Sequence, residues 1–390
     1  MTDMRLVESE AAQEQFMKLA HYCFTDDLGW TRFIFPLPED DRAWGVFEGD
    51  GLLSGAISKA YGCHLFGEVV PAAGISCVVT EPQSRNRGLA RQLMSRIIEL
   101  DHAAGKVVSI LYPFRFGFYE KFGYGSLGPA ALHTFDPNDL RPMSQPEGRF
   151  EWFAGTDEEM HAIQILLESW AKNYDLGLIP PRYPTEKHAE ALKQLKRQVF
   201  LYYDAGGACR GYAQLAFKKE AQFEANLQLR RAAWDGPAAF RALLYFIWTH
   251  RNQCKEVWWW TARTVPVHLA VKELRLTRKD VFMWMGRPLD VRKVLGIKFR
   301  NEPSERRVVF SVEDPVLSQN TGTYVIDGDS VAQQRFTGED LLPFDVFSSL
   351  VFGGVGAEQA ALAGLVSRDW ANSAAHAFRA NPNIYITEFF

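Results

Sequence analysis

The sequence predicts an α/β (α+β) protein built from successive sections, each with sheet strands flanked by helices. Three observations carry this. Strand-like and helix-like patterns alternate through residues 1–146. The same order returns, more weakly, through residues 147–284. A third section, 285–390, restarts at Pro288-Leu289-Asp290-Val291 with strands and helices of its own. Sections one and two read as a divergent internal duplication.

In the first section, apolar residues at Phe16, Leu19, Ala20 and Cys23 predict a helix over Glu10–Cys23. Trp44–Phe47 and Leu52–Ala60 read as strands, and Asp50-Gly51 between them is a hairpin signal. Gly74–Thr80 is a further strand. It leads through Glu81-Pro82 into a basic turn, Arg85–Gly88, and an amphipathic helix carrying Leu89, Leu93, Ile97 and Ile98. A strand at Val107–Leu111 and a short helix with Phe118-Tyr119 follow, stopped by Gly123-Tyr124-Gly125.

Pro142–Gly148 reads as a linker. The second section then predicts a helix over Asp157–Lys172 and strands at Val199–Asp204 and Arg210–Lys218, separated by Gly206-Gly207. A helix over Pro237–Arg251 and a strand at Val257–Ala262 complete it. The third section predicts strands Arg307–Val312 and Gly322–Asp327 and helices Gly338–Phe347 and Glu358–Ser367.

Composition excludes several classes. The chain has 390 residues, a net charge of −4 and 47% apolar residues. A net charge so near zero gives no basic field for nucleic acid. Twenty-eight Phe and 11 Trp are too much apolar mass for a disordered chain. The five Cys are scattered without a C-x-x-C pair, so no metal site and no disulfide framework is expected. Met1–Glu10 lacks the pattern of a signal peptide. The most apolar run, Val346–Ala357, is broken by Gly353, Gly354 and Gly356. A cytoplasmic protein without a membrane partner is the expectation.

The most informative segment runs from Val78 to Ala90. It is a strand, a Pro-marked exit, the turn Arg85-Asn86-Arg87-Gly88, and a helix opening with Leu89-Ala90. Open N–H groups at a helix start suit an anion, and Arg85 and Arg87 add charge-assisted contacts. The spacing Arg-x-x-Gly-x-Ala resembles the pyrophosphate signature of the Gcn5-related N-acetyltransferases (GNAT). Ser109–Phe114 followed by Phe118-Tyr119-Glu120-Lys121-Phe122-Gly123-Tyr124 resembles the strand and short helix that close the cofactor cleft there. Adding the third section, with Val312–Pro315 and Asn320–Tyr324, and the terminal Phe-Phe, the whole layout resembles the Eis-type acetyltransferases.

That resemblance implies tandem GNAT folds with mixed central sheets, and a C-terminal domain like sterol carrier protein. It implies acetyl-CoA as cofactor, held by Val78, Val79, Arg85, Asn86, Arg87, Gly88, Leu89 and Ala90. It also implies a cationic primary amine as small-molecule acceptor, aminoglycoside or lysine-like, and a trimeric or hexameric homo-oligomer. The second section lacks the signature, since Ala233 stands where Arg is needed and Asp235 would repel phosphate. It reads as a packing and substrate-wall domain.

Amine acetylation through a ternary complex needs a proton donor for the leaving thiolate, a donor to the carbonyl and a base. The resemblance assigns the acid to Tyr119. A phenol at about 10 and an alkyl thiol at about 8.5 exchange a proton nearly evenly. Tyr124 reads as a packing residue. Val79, at the end of the cofactor strand, is the expected N–H donor to the acetyl carbonyl, with Val78 pairing the pantetheine arm. The resemblance makes the base the terminal carboxylate of Phe390. The apolar ending Ile-Tyr-Ile-Thr-Glu-Phe-Phe reads as buried, either to reach the site or only to anchor a terminal strand.

Phe24, Asp26, Trp30 and Glu388 are candidates for the acceptor wall, though Asp26 and Asp27 also read as plain turn carboxylates. Trp258-Trp259-Trp260 reads as core packing before ligand stacking. A lipid or sterol carrier and a non-catalytic acyl-CoA-binding regulator are the competing functions.

Overall fold

The computed structural model describes residues 2–25, 29–141, 144–181, 185–220, 225–273 and 275–389. They form two compact units. The first gathers Met1–Gly128, Asp175–Pro181 and Met283–Phe390; the second gathers Pro129–Tyr174 and Arg182–Phe282.

The first unit opens with strand β1 (Thr2–Leu6) and helix α1 (Glu10–Phe24). Ser9 starts the helix, its Oγ accepting from the Ala12 N–H at 3.3 Å. Phe16 and Ala20 are its fully buried face. Strands β2 (Arg42–Glu48), β3 (Gly51–Leu65), β4 (Glu68–Thr80) and β5 (Val108–Leu111) follow, with helix α2 (Leu89–Ala103) between the last two. They lie in the order β1-β2-β3-β4-β5, continued by the C-terminal end of the strand Thr277–Pro288. All these neighbours are antiparallel except β4 and β5.

Local chemistry explains the turns. The β2–β3 hairpin closes over Gly49-Asp50, one residue before the predicted Asp50-Gly51, because Gly49 supplies the positive φ (59°) and Gly51 already pairs with Glu48. Gly55 on β3 makes room for α1: a Cβ there would meet the Phe16 ring at 2.5 Å. α2 buries Leu89, Leu93, Met94, Ile97 and Ile98 as its pattern predicts. It also buries Asp101, held by Lys106 at 2.8 Å and Ser58 at 2.7 Å.

The last section contributes a small sheet of strands Ser330–Gln334, Gly322–Gly328, Ser304–Val312 and Leu341–Leu342, in that order. Its core is continuous with that of the first section. Cys63, Leu65, Val108 and Ile110 belong to one apolar cluster with Phe310, Tyr324, Phe347, Trp370 and Phe378. Burying each such Phe is worth roughly 2–3 kcal/mol relative to exposure. The predicted helix Gly338–Phe347 is displaced to Phe344–Phe352. Pro343 cannot sit within a helix, so it precedes the first turn, and Gly353 (φ 83°) ends the last. The predicted helix Glu358–Ser367 is shortened to Ala357–Leu362 because Gly364 takes φ 74°. Ser367 instead caps the next helix, Arg368–Ala374.

In the second unit, Ala131–Phe135 of the strand Gly125–Phe135 pair antiparallel with Val257–Thr261 of the strand Cys254–Thr261. The sheet continues through Ala225–Trp234, Cys209–Lys219, Gln198–Tyr203 and Arg149–Trp152. Helix Asp157–Ala171 starts with a capping box between Thr156 and Glu159. Trp259 is buried against Trp234 and Phe240. Its neighbours Trp258 and Trp260 face the other side, under Lys218 and Arg230. The helix Gly236–Thr249 begins behind Asp235, which Arg210 holds at 2.5 Å. Among the described residues, no helix is long and apolar enough to cross a membrane.

Candidate active site

The site begins where two parallel strands part. β4 and β5 pair only from Ala72 opposite Val108 to Ile75 opposite Leu111. β5 ends there, while β4 runs on to Thr80 with β3 along its other edge. A bulge marks the split, with Cys77 at φ 51° and a register shift between Gly55 and Ile57. The Glu81 N–H donates to the Leu53 carbonyl at 2.8 Å. Backbone alternation along the ladder then aims the Val79 main chain at its β3 partner, Gly55. The main chains of Val78 and Thr80 face the edge that β5 leaves open. The expected N–H of Val79 is therefore turned away from the opening, and Thr80, which sequence reasoning passed over, joins Val78 there.

Beyond β4, Pro82–Ser84 forms one tight turn and Asn86 (φ 63°) and Gly88 (φ 76°) bend the chain into α2. A Cβ on Gly88 would meet nothing within 4 Å, so the glycine is required by its backbone angle and not by crowding. No side chain caps the start of α2, where Leu89 is buried and Ala90 half-buried. Its first N–H groups thus point into open space with the positive end of the helix dipole. Arg85 and Arg87 are exposed around it. Arg87 leans towards Glu48 at 3.5 Å and towards Ser84 Oγ at 3.5 Å. A pyrophosphate fits this donor set: uncapped amides, two guanidinium groups and no obstructing side chain.

Tyr119 ends the short helix Phe116–Tyr119. Its ring is buried among Phe114, Phe118 and Tyr124, at centroid distances of 5.6, 5.0 and 6.1 Å. Burial raises its pKa, so the phenol stays protonated at neutral pH. The hydroxyl bonds to no described residue. Tyr124 is its contrast: fully buried, with its hydroxyl 2.7 Å from Ser109 Oγ.

The segment Thr387–Phe389 is docked. Thr387 Oγ1 donates to the Leu178 carbonyl at 2.8 Å and accepts from the Leu178 N–H at 2.9 Å. Glu388 beside it is 7% exposed. Phe389 then lies between Tyr112, at 5.5 Å, and Trp284, at 5.6 Å. Tyr112 directly follows the last residue of β5. Phe390 lies outside the described residues, as does Asp26. Phe24 and Trp30, which flank that segment, do meet, with ring centroids 5.5 Å apart. Cys23 touches the Thr80 carbonyl at 3.8 Å, so the end of α1 borders the end of β4. Glu388 follows Thr387 in the docked segment.

Residues 3–127 match the acetyltransferase (GNAT) domain family, and residues 181–292 match a second acetyltransferase (GNAT) domain family. Residues 292–386 match the sterol carrier protein domain. N-acetyltransferase Eis of Mycobacterium tuberculosis is 28% identical over 186 residues, 42% of this chain and 44% of that protein. The alignment thus spans under half of the curated relative. An uncharacterized N-acetyltransferase of Streptomyces avermitilis is 32% identical over 113 residues, 29% of this chain and 27% of that protein. Among solved structures, a GCN5-related N-acetyltransferase from Anabaena variabilis superposes with a TM-score of 0.81 at 19% identity, covering 100% of both chains. Eis1 from Mycobacterium abscessus superposes at 0.77 and 20% identity, again over 100% of both chains. At these identities the superpositions establish the fold. Two GNAT domains followed by a sterol-carrier-like domain make this chain an Eis-like member of the GNAT acetyltransferases.

Proposed function

We propose that the chain transfers an acetyl group from acetyl-CoA to a primary amine, in a ternary complex, at the opening between β4 and β5. The observation that carries this is Tyr119: a buried, protonated phenol whose hydroxyl bonds to no described residue, in the cleft-closing motif after β5. The uncapped start of α2, with Arg85, Asn86, Arg87, Gly88, Leu89 and Ala90, would hold the pyrophosphate. The main chains of Val78 and Thr80 would hold the pantetheine arm and acetyl carbonyl. Bound there, acetyl-CoA supplies an activated acetyl thioester. Tyr119 holds a proton at Oη for the sulfur that leaves.

The base in this reading is the terminal carboxylate of Phe390; what supports it is the preceding residue, Phe389, which packs against Tyr112 just after β5. An α-carboxyl near 3.5 is weak for that task in water. It needs a desolvated site, or an amine that arrives partly deprotonated. Phe24, Trp30, Asp26 and Glu388 form the acceptor wall in the same reading. The carrier alternative is disfavoured by packing: Phe310 stands within 5.4–5.7 Å of Phe347, Phe378 and Tyr324, so aromatic rings fill the interior of the last section.

The test is a panel of aminoglycosides, polyamines, lysine peptides and arylalkylamines, with free thiol release as readout. Turnover of at least one amine, with a melting temperature raised by millimolar acetyl-CoA, is the expected result. A shift without turnover of any amine would turn the reading to an acyl-CoA-binding regulator. A shift with fatty acid alone would turn it to a carrier.

A further inference from the structure

We propose that Ser348 and the buried Arg287–Asp314 pair are positioning residues for Tyr119, acting from the last section of the chain. This rests on the reading of Tyr119 as proton donor. Because its hydroxyl bonds to no described residue, Tyr119 is placed by ring packing and by the backbone that follows it. That backbone turns sharply. The Gly123 N–H donates to the Glu120 carbonyl at 2.8 Å, and the Tyr124 N–H to the Tyr119 carbonyl at 3.3 Å.

Two successive carbonyls of this turn are gripped by distant side chains. Arg287 Nη1 donates to the Phe122 carbonyl. Ser348 Oγ donates to the Gly123 carbonyl at 2.7 Å. Arg287 is itself aimed by Asp314, whose Oδ2 lies 2.5 Å from Nη2, and both side chains are 0% exposed. The Asp314 carboxylate is saturated in turn. It accepts from the Val316 and Leu317 N–H groups at 2.9 Å and from Asn320 Nδ2 at 2.8 Å.

The seat has no slack. A Cβ on Gly123 would come within 2.4 Å of the Phe344 ring, and one on Gly125 within 2.1 Å of the Asp345 carbonyl. A buried ion pair is a poor source of stability, because desolvation offsets its attraction. What this pair adds is direction: a guanidinium N–H held on one carbonyl, three residues after the phenol. The sterol-carrier-like section thereby acquires a task in acetyl transfer that needs no lipid.

Ser348→Ala and Asp314→Asn are each made alone and on a Y119F background. They are assayed with saturating acetyl-CoA and the amine that turns over fastest in the panel. Displacement of a catalytic group by about 1 Å costs up to about a hundredfold. Each single substitution is expected to lower kcat about tenfold or more, to leave the KM for acetyl-CoA within about twofold, and to move the alkaline limb of the kcat–pH profile. On the Y119F background the same substitutions are expected to cost nothing further. An equal loss in both backgrounds overturns the proposal, as does a kcat unchanged by both substitutions while Y119F is damaging. Should either variant melt below the assay temperature, the other decides. If Y119F itself leaves kcat unchanged, or no amine turns over, the reading of Tyr119 fails and this proposal fails with it.

Discussion

The ring of Phe389 lies against that of Tyr112, with centroids 5.5 Å apart. The penultimate residue of the chain is thereby held beside the residue at which β5 departs from β4. Phe389 is 70% exposed, and Trp284 lies on it as well, at 5.6 Å. Phe389→Ala should remove an aromatic contact worth about 0.5–1.5 kcal/mol. It should lower kcat several-fold, leaving the melting temperature nearly unchanged. A short tag added after Phe390 should lower kcat far more, by about a hundredfold or beyond if the terminal carboxylate is the base. Unchanged turnover in the tagged protein would eliminate that base.

Arg85 and Arg87 should not be equivalent. Arg87 already faces Glu48 and Ser84, whereas no ion pair to Arg85 is found among the described residues. Arg85→Ala is expected to raise the KM for acetyl-CoA more than Arg87→Ala, the larger effect being about tenfold for a lost charge-assisted contact. Gly88→Ala should also raise it, since an alanine at φ 76° costs about 1–2 kcal/mol and reshapes the start of α2. Steady-state kinetics with varied acetyl-CoA checks all three.

His133 should make the protein acid-labile. It is 1% exposed, both ring nitrogens lack a hydrogen-bond partner among the described residues, and its pKa is lowered to about 4 by burial, with nearby Arg278 and His268 adding to the effect. The unfolded chain takes up this proton near pH 6.5 while the fold refuses it until about pH 4. Stability from this residue is therefore complete above pH 6.5 and falls as the pH drops through that window. Melting temperatures between pH 7 and 4 should decline, and less steeply in His133→Gln.

Asp41 should respond in the opposite sense. Burial raises its pKa although the Ala60 N–H donates to Oδ1, and Oδ2 is buried without a hydrogen-bond partner among the described residues. Ionisation above the raised value therefore costs stability at neutral pH. Asp41→Asn is expected to raise the melting temperature at pH 7 by a few degrees. The gain should fade as the pH falls towards about 4, where the carboxyl is protonated in the unfolded chain too. A variant less stable than the parent at pH 7 would contradict this.

Much of the site was legible because it is local. The basic turn, Gly88 and the helix after it lie within a few consecutive residues, and the apolar stripe of α2 repeats at the helical period. Tyr119 and Tyr124 sit in one short motif, and only the structure separates their surroundings: one hydroxyl bonds to no described residue, the other is fixed to Ser109. Helix ends were harder to read. Pro343 and Gly364 displaced two predicted helices because one backbone position outweighs a favourable apolar pattern.

By itself, then, the sequence determined the order of sections, the basic turn before α2 and the aromatic motif after β5, since each depends on neighbours along the chain. Tertiary structure alone decided which face of β4 opens, because a bulge at Cys77 and pairing with β3 choose the direction of every following amide. It alone brought Arg287, Asp314 and Ser348 to the turn behind Tyr119, and Phe389 to Tyr112. Those partners stand far apart in sequence, and only the shared core of the first and last sections, where apolar area is removed from water as one body, closes the distance.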